Sequence, residues 1–210
     1  MPLEMSAADF ATETGVSRET LARFEAYLAL LRPWQKRINL VAASTLADPW
    51  RRHMLDSVQL VPLLPKDPHR IADLGAGAGF PGLPMALLLS TDVEIFLIES
   101  DSRKSAFLRE AIRETGAQAT VISARIEAIP VQDIDVAVAR ACAPLAKLLG
   151  LAQPLLAAGG RALFLKGRRA EEELTAAREA WTMTLARHQS RSDPDSTIIE
   201  ASNIRPCPCP

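Results

Sequence analysis

From Arg70 to Pro84 the chain reads Arg-Ile-Ala-Asp-Leu-Gly-Ala-Gly-Ala-Gly-Phe-Pro-Gly-Leu-Pro, a short apolar run that opens into closely spaced glycines and then into an apolar helix-like segment. That order predicts a strand, a tight ligand-cradling loop and a helix, the opening unit of a doubly wound α/β sheet. Gly75, Gly77 and Gly79 carry no Cβ, so the backbone there can turn sharply and approach a ligand where a side chain would collide with it. The loop is therefore expected to be built around a nucleotide-like cofactor.

The glycines alone do not choose the cofactor. Gly77-Ala-Gly79-Phe-Pro-Gly82 satisfies the dinucleotide pattern G-x-G-x-x-G. Against that reading, Pro81 sits near the start of the following helix and removes an N–H group that a pyrophosphate would use there. The overlapping frame Asp73-Leu-Gly75-Ala-Gly77-Ala-Gly79 resembles motif I of S-adenosylmethionine-dependent methyltransferases. That resemblance implies that Asp73 helps to hold the loop and the cationic amino-acid end of the cofactor, where a pyrophosphate would be repelled. A second signal is Val93-Glu-Ile-Phe-Leu-Ile-Glu99, a mostly apolar run suited to a buried parallel strand and ending in a carboxylate. Glu99 at the carboxyl end of that strand can accept hydrogen bonds from both ribose hydroxyls, in either cofactor.

The rest of the chain supports an alternating architecture. Ser17 is expected to N-cap a helix carrying Leu21, Phe24, Leu28 and Leu31 at helical spacing and ending around Pro33. Asp48-Pro49 reads as the N-cap and first residue of a helix running to about Leu60. After the glycine loop, strands are expected near 93–98, 119–123, 134–139 and 160–165, separated by helices near 102–115, 144–157 and 168–180. Such alternation specifies a parallel, doubly wound sheet. Residues 182–186 and 197–201, with a polar turn between them, are expected to add an antiparallel hairpin, the usual closing arrangement of the methyltransferase architecture. The expected organisation is one compact domain: an N-terminal helical extension over 1–65 packed on a methyltransferase core over 66–206.

Composition excludes several classes. With 48% hydrophobic and 23% charged residues among 210, the chain can bury a core without staples. No apolar run approaches the ~20 residues of a membrane span, and the amino terminus lacks the pattern of a secretory signal, so a cytoplasmic location is expected. Cys142, Cys207 and Cys209 form neither a disulfide framework nor a spaced zinc site, and no metal is expected; the Cys-Pro-Cys-Pro tail reads as frayed. Net charge is −1 and the pI about 6.3, so a nucleic-acid partner must be gripped by a local patch. Three basic clusters are available: Arg51, Arg52 and His53; Arg103 and Lys104; and Arg161, Lys166, Arg168 and Arg169 around Gly167. Their value depends on whether the fold brings them together. No long heptad argues for more than a monomer.

Seven blocks carry a more specific resemblance: Trp34-Gln-Lys-Arg-Ile-Asn-Leu40, Arg52-His-Met-Leu-Asp-Ser57, Asp73 through Gly82, Arg103-Lys-Ser-Ala-Phe-Leu-Arg109, Ala124-Arg-Ile-Glu127, Ala139-Arg-Ala141 and Leu165-Lys-Gly167. In these blocks, over about residues 20–170, the chain resembles the bacterial glucose-inhibited division protein B (GidB) family, 7-methylguanosine methyltransferases of small-subunit (16S) ribosomal RNA. The resemblance implies a Rossmann-like methyltransferase fold, S-adenosyl-L-methionine as cofactor, and small-subunit RNA as partner, naked or within a 30S subunit. It further implies that the cofactor lies against Gly75 and Phe80, with Ile126 and Glu127 beside the adenine and Arg140 at the far side of the pocket. Cys142 stands where the family commonly has a large aromatic.

The chemistry implied is modest, because guanine N7 carries an exposed lone pair and needs no general base; alignment of the reacting atoms suffices. Arg125, Arg140 and Lys166 are accordingly expected to position RNA or cofactor and not to act as acid-base catalysts. Arg140-Ala-Cys-Ala-Pro144 lacks the Asn/Asp-Pro-Pro-aromatic segment common in amino-group methylation, and Cys142 lacks the preceding proline of the pyrimidine C5 motif. His53 and Asp56, one helical turn apart, read as a local helix-stabilising contact. Two rival functions stay open at this point: a methyltransferase acting on a small molecule or a protein, and a non-catalytic binding protein on the same scaffold.

Overall fold

The computed structural model describes residues 4–207, so Cys209 and the last residues of the proline-rich tail lie outside the described residues. Seven strands, β1 (Arg70–Leu74), β2 (Glu94–Ile98), β3 (Thr120–Ile122), β4 (Ile134–Arg140), β5 (Leu156–Lys166), β6 (Trp181–Gln189) and β7 (Thr197–Pro206), form one sheet in the order β3-β2-β1-β4-β5-β7-β6. The first five are parallel, and β7 runs antiparallel to both β5 and β6. Strand order reverses beside β1, between β2 and β4, which opens a crevice at the carboxyl ends of those strands.

Successive strand residues point to opposite faces, and both faces are covered. Ile71, Ile95, Leu97, Val136, Val138 and Leu163 join one apolar core; Ala72, Leu74, Ile98, Ala137, Ala139 and Phe164 join the other. Helix α1 (Ala7–Thr14) and α2 (Arg18–Gln35) cover the first face through Phe10, Phe24, Tyr27, Leu28 and Leu31, together with α5 (Ser102–Thr115) through Phe107 and Leu108. Helices α6 (Leu145–Ala152) and α7 (Ala170–Ala180) cover the second through Leu148, Leu149, Leu174 and Ala177.

The differences from expectation lie mostly before the sheet. Hydrophobic periodicity does not announce the eight-residue α1, yet Ser6 and Asp9 cap each other's backbone reciprocally, a local signal that starts it. Helix α2 starts at the Ser17 cap but runs through Pro33 to Gln35 instead of ending there. Pro33 lies in the last turn, where its missing N–H removes one hydrogen bond while the fixed φ remains helical. The single helix expected from Asp48 to Leu60 is two pieces, a π-helical turn (Trp50–Leu55) and the short α3 (Asp56–Val58), preceded by a 3₁₀ turn (Ala43–Ala47). π turns inside helices concentrate at functional sites, and this one carries His53.

Candidate functional site

The crevice at the carboxyl ends of β1, β2, β4 and β5 is a cavity of about 1100 Å³. Its floor is the loop after β1, where Gly75, Gly77 and Gly79 have φ of 71°, 60° and 92°. The three glycines serve different ends. Gly77 faces the cavity and donates its N–H to Glu99 Oε2 at 2.9 Å. A Cβ on Gly75 would lie 2.3 Å from Cys142 Sγ across the cavity wall. Gly79 faces away from the cavity, and a Cβ there would lie 2.7 Å from Tyr27 Oη. Tyr27, buried on α2, donates its hydroxyl to the Ala78 carbonyl and so ties the amino-terminal helix to the loop.

Asp73 is wholly buried beneath the loop, between β1 and α4 (Gly82–Ala86), and does not face the cavity. Its Oδ2 accepts the Gly82 N–H at 2.8 Å, and its Oδ1 has no hydrogen-bond partner. Burial raises its pKa to about 7, against the opposing pull of the Gly82 bond. This carboxyl shapes the loop from below. Glu99, by contrast, lines the cavity: Oε2 holds Gly77 N–H and Oε1 accepts Asp101 N–H at 2.7 Å. Each carboxylate oxygen keeps further acceptor capacity.

One wall is a stack. The His53 ring lies 4.7 Å from the Phe80 ring at 15°, and the Arg140 guanidinium carbon lies 4.7 Å from the same ring centroid. Arg140 Nη1 donates to the Arg52 carbonyl and to His53 Nδ1, both at 2.9 Å, and stands 3.5 Å from Asp56 Oδ2. His53 Nε2 lies 2.9 Å from Thr45 Oγ1, whose hydroxyl already donates to the Ala42 carbonyl. The network therefore assigns a neutral imidazole with its proton on Nε2, accepting from Arg140 at Nδ1. Desolvation, with Arg140 and Arg52 beside it, pushes the His53 pKa down to about 3. Burial also lowers the Arg140 pKa, with Asp56 opposing, and leaves the guanidinium charged. The helix-stabilising His53–Asp56 contact expected from their spacing is thus not what forms: the two residues meet through Arg140.

Lys166 at the end of β5 is 6% exposed; its Nζ donates to the Ala143 carbonyl at 2.6 Å and to Glu173 Oε2 at 2.8 Å. It ties the loop after β4 to α7 and keeps one N–H for the cavity. Ile126 and Glu127, in a 3₁₀ turn (Ile126–Ala128) after β3, line the opposite end with the exposed Arg125. Cys142 lines the wall too, its thiol pKa raised by burial and by the Asp73 and Glu99 carboxyls. Among the described residues, no group of His, Cys, Asp or Glu is arranged to hold a metal ion.

The fold assembles part of the basic clusters and discards the rest. Arg52, Lys104, Lys166, Arg168 and Arg169 line the cavity with Arg125, Arg140 and Lys147; Arg51 pairs with Asp48, and Arg161 pairs with Glu200. Eight cations and four carboxylates face a cavity in a chain whose net charge is −1. A concentrated cationic cleft of this kind attracts a polyanion. His53, Thr45 and Lys147 escaped the sequence reading as cavity residues; the Arg52–Ser57 block was the available signal for His53, and the π turn that presents it leaves no mark in spacing.

Solved structures with this architecture include the fibrillarin of Aeropyrum pernix with natively bound S-adenosyl-L-methionine (20% identical, TM-score 0.56, covering 72% of this chain and 75% of that one) and a putative O-methyltransferase from Klebsiella pneumoniae (17%, TM-score 0.62, 94% and 96%). At such identity they speak to the fold alone, a Rossmann-like sheet. Sequence likeness goes further. The ribosomal RNA small subunit methyltransferase G proteins of Rhodospirillum rubrum and Paramagnetospirillum magneticum are each 52% identical over 200 residues, spanning 95% of this chain and 98% and 97% of theirs. The GidB profile, rRNA small subunit methyltransferase G, matches residues 20–195. With that match over most of its length, the chain belongs to the rRNA small subunit methyltransferase G family.

Proposed function

We propose that this methyltransferase of small-subunit ribosomal RNA, with S-adenosylmethionine as its methyl donor, modifies N7 of a guanine. The observation that favours this atom is that neither the histidine nor the cysteine of the cavity is poised as a base or nucleophile. His53 is neutral with both ring nitrogens engaged, and the Cys142 thiol is held protonated. Adding a thiolate to a pyrimidine would need Cys142 poised, and an imidazole base would need a free His53 nitrogen, whereas the N7 lone pair needs neither.

The cavity, about 1100 Å³, stands at the top of the ~300–1,000 Å³ range typical of a small-molecule site, room enough for the cofactor. Gly75 and Gly77 offer bare backbone, Glu99 offers lone pairs suited to ribose hydroxyls, and Ile126 with Glu127 form a shelf suited to an adenine. Asp73 and Gly79 act from behind, holding the loop in shape. When bound, S-adenosylmethionine supplies an electrophilic methyl group that the N7 lone pair accepts without prior deprotonation. The protein's part is orientation: Phe80 gives a flat apolar face, and Arg140, fixed by His53, Asp56 and the Arg52 carbonyl, holds its charge against that face. Arg125 and Lys166 stand where they can orient RNA or cofactor. The acceptor is read as RNA within the small subunit, the enzyme as a monomer with residues 1–65 extending a core over 66–206, and the location as cytoplasmic.

The test is transfer of labelled methyl from S-adenosylmethionine to small ribosomal subunits lacking the modification, with mass mapping of the product. Label on one guanine N7 is expected. Label on an exocyclic amine, a ribose or a pyrimidine carbon would overturn the choice of atom, and binding without transfer would favour a non-catalytic role.

A further inference from the structure

The turn joining β6 to β7 (residues 190–196) leans across the rim of the cavity and carries two carboxylates that the chemistry above does not use. Asp193 Oδ2 lies 2.5 Å from Arg52 Nη1. Asp195 Oδ2 accepts from Arg168 Nε at 2.9 Å and Nη2 at 2.8 Å. Both arginines line the cavity, yet they belong to different elements, the π turn and the segment after β5, and among the described residues this turn supplies the acidic partners of both. The turn's base is fixed: Ser190 and Ser192 are each 6% exposed, Gln59 Oε1 accepts the Arg191 N–H at 2.7 Å, and Ser192 Oγ donates to Asp56 Oδ1 at 2.5 Å. Its acidic tip is freer, with the Arg168 and Asp195 side chains 83% and 52% exposed.

We infer that Arg52 and Arg168 are a two-point grip for phosphates of the RNA strand entering the cavity, and that Asp193 and Asp195 occupy that grip in the free protein as a tethered anionic stand-in. The inference rests on the reading of RNA as the substrate. Guanidinium groups take carboxylate and phosphate oxygens with the same planar fork, so one anion can replace the other without moving the arginine. The pairs are at the solvent edge, where ion pairs are weak enough to exchange. The turn also filters: a ligand too poor in phosphate to engage both arginines must leave at least one Arg–Asp pair in place. Asp195 N–H donates to Asp193 Oδ1 at 2.9 Å, which holds the two carboxylates in one turn.

The test is binding, without methyl transfer, of a fluorescein-labelled RNA oligonucleotide and of unmodified small subunits across a salt series. Asp193→Asn/Asp195→Asn is expected to tighten RNA binding by roughly three- to thirtyfold, the worth of two partly exposed ion pairs. Arg52→Gln/Arg168→Gln is expected to weaken binding and to lower the slope of log K against log salt by about 1.4, the value for two single-strand phosphate contacts. In the quadruple variant the aspartate effect is expected to vanish, because the carboxylates act only through the arginines. Asp195→Asn alone, at an exposed position, serves as a second variant that keeps the buried base of the turn intact. The inference is overturned if the aspartate variants, with unchanged thermal midpoint, bind RNA no tighter than the parent, or if the arginine variants keep the full salt slope. Failure of the parent itself to bind either RNA would overturn the substrate reading, a different outcome.

Discussion

The floor and the rim of the cavity are built on opposite terms. In the floor, polar groups are tied to backbone: Asp73 to Gly82, Glu99 to Gly77 and Asp101, Tyr27 to Ala78. At the rim, charge meets charge directly at the solvent edge, as in Arg52–Asp193 and Arg168–Asp195. A floor fixed before binding loses little freedom when a small cofactor arrives, which favours affinity. A rim of exchangeable ion pairs can trade partners along a flexible polyanion and contributes little to stability. The difference separates what must be rigid for alignment from what must yield for access.

Two glycines make the sharpest attempt to break that contrast. A Cβ on Gly82, in the floor, would meet Leu97 Cδ2 at 2.5 Å, Asp73 Oδ2 at 2.8 Å and Asp73 Cβ at 2.9 Å, all buried. A Cβ on Gly167, at the rim, would meet nothing within 4 Å. Gly82→Ala is expected to destabilise the protein by about 1–3 kcal/mol, as overpacking does, and to weaken S-adenosylmethionine binding. Gly167→Ala is expected to change stability by less than about 1 kcal/mol, through the unfolded chain. Urea unfolding of both variants, with calorimetric cofactor titration, checks the pair; equal losses would erase the distinction between floor and rim.

A smaller effect sharpens it within the buried half. Asp73 keeps its proton in the folded chain to about pH 7, whereas its unfolded carboxyl releases it near 3.8. Between those values the folded state binds the extra proton, so this group makes stability fall as pH rises. His53 works in the reverse sense: the unfolded imidazole gains a proton below 6.5, the folded one only near 3, so stability falls as pH drops through that window. In the overlap, from 3.8 to 6.5, the two oppose each other. Asp73→Asn keeps an acceptor for Gly82 and removes one side of the opposition. Its unfolding free energy is expected to fall more steeply than the parent's on acidification from pH 6.5, the added slope approaching about 1.4 kcal/mol per pH unit. Parallel pH curves for parent and variant would show that Asp73 is ionised in the folded protein.

How much of this could be read from the chain follows the same division. Strands β2 and β4 and helix α5 coincide closely with expectation because apolar runs and the Asp101 and Gly116 caps are local signals. The glycine loop was legible as a loop, but the reason for each glycine was not. Gly79 answers to Tyr27, fifty-two positions earlier, and Gly82 to Leu97 on a neighbouring strand. The resemblance to motif I implied that Asp73 holds both the loop and the cofactor's amino-acid end; the structure buries it under the loop, bonded to Gly82. The basic clusters were visible as charge, yet only the fold shows that Arg168 faces the cavity and that Arg161 is spent on Glu200. His53 shows the limit most clearly: its role depends on a π turn and on Arg140, eighty-seven positions away.

The smallest expected effect concerns Cys142, which sits between floor and rim. Its Sγ closes the wall over Gly75, and its thiol is driven toward the protonated form by burial and by the Asp73 and Glu99 carboxyls. A thiol in that state is a space-filling group, whereas a pyrimidine C5 methyltransferase depends on a thiolate that adds to the ring. Cys142→Ser keeps the size and removes the nucleophile. Methyl transfer to small subunits is expected to continue at close to the parent rate, with stability altered by no more than about 1 kcal/mol, the range of a mild substitution at an exposed site. Loss of transfer with cofactor binding and folding intact would make Cys142 a reacting group and would move the chemistry from a purine nitrogen to a pyrimidine carbon.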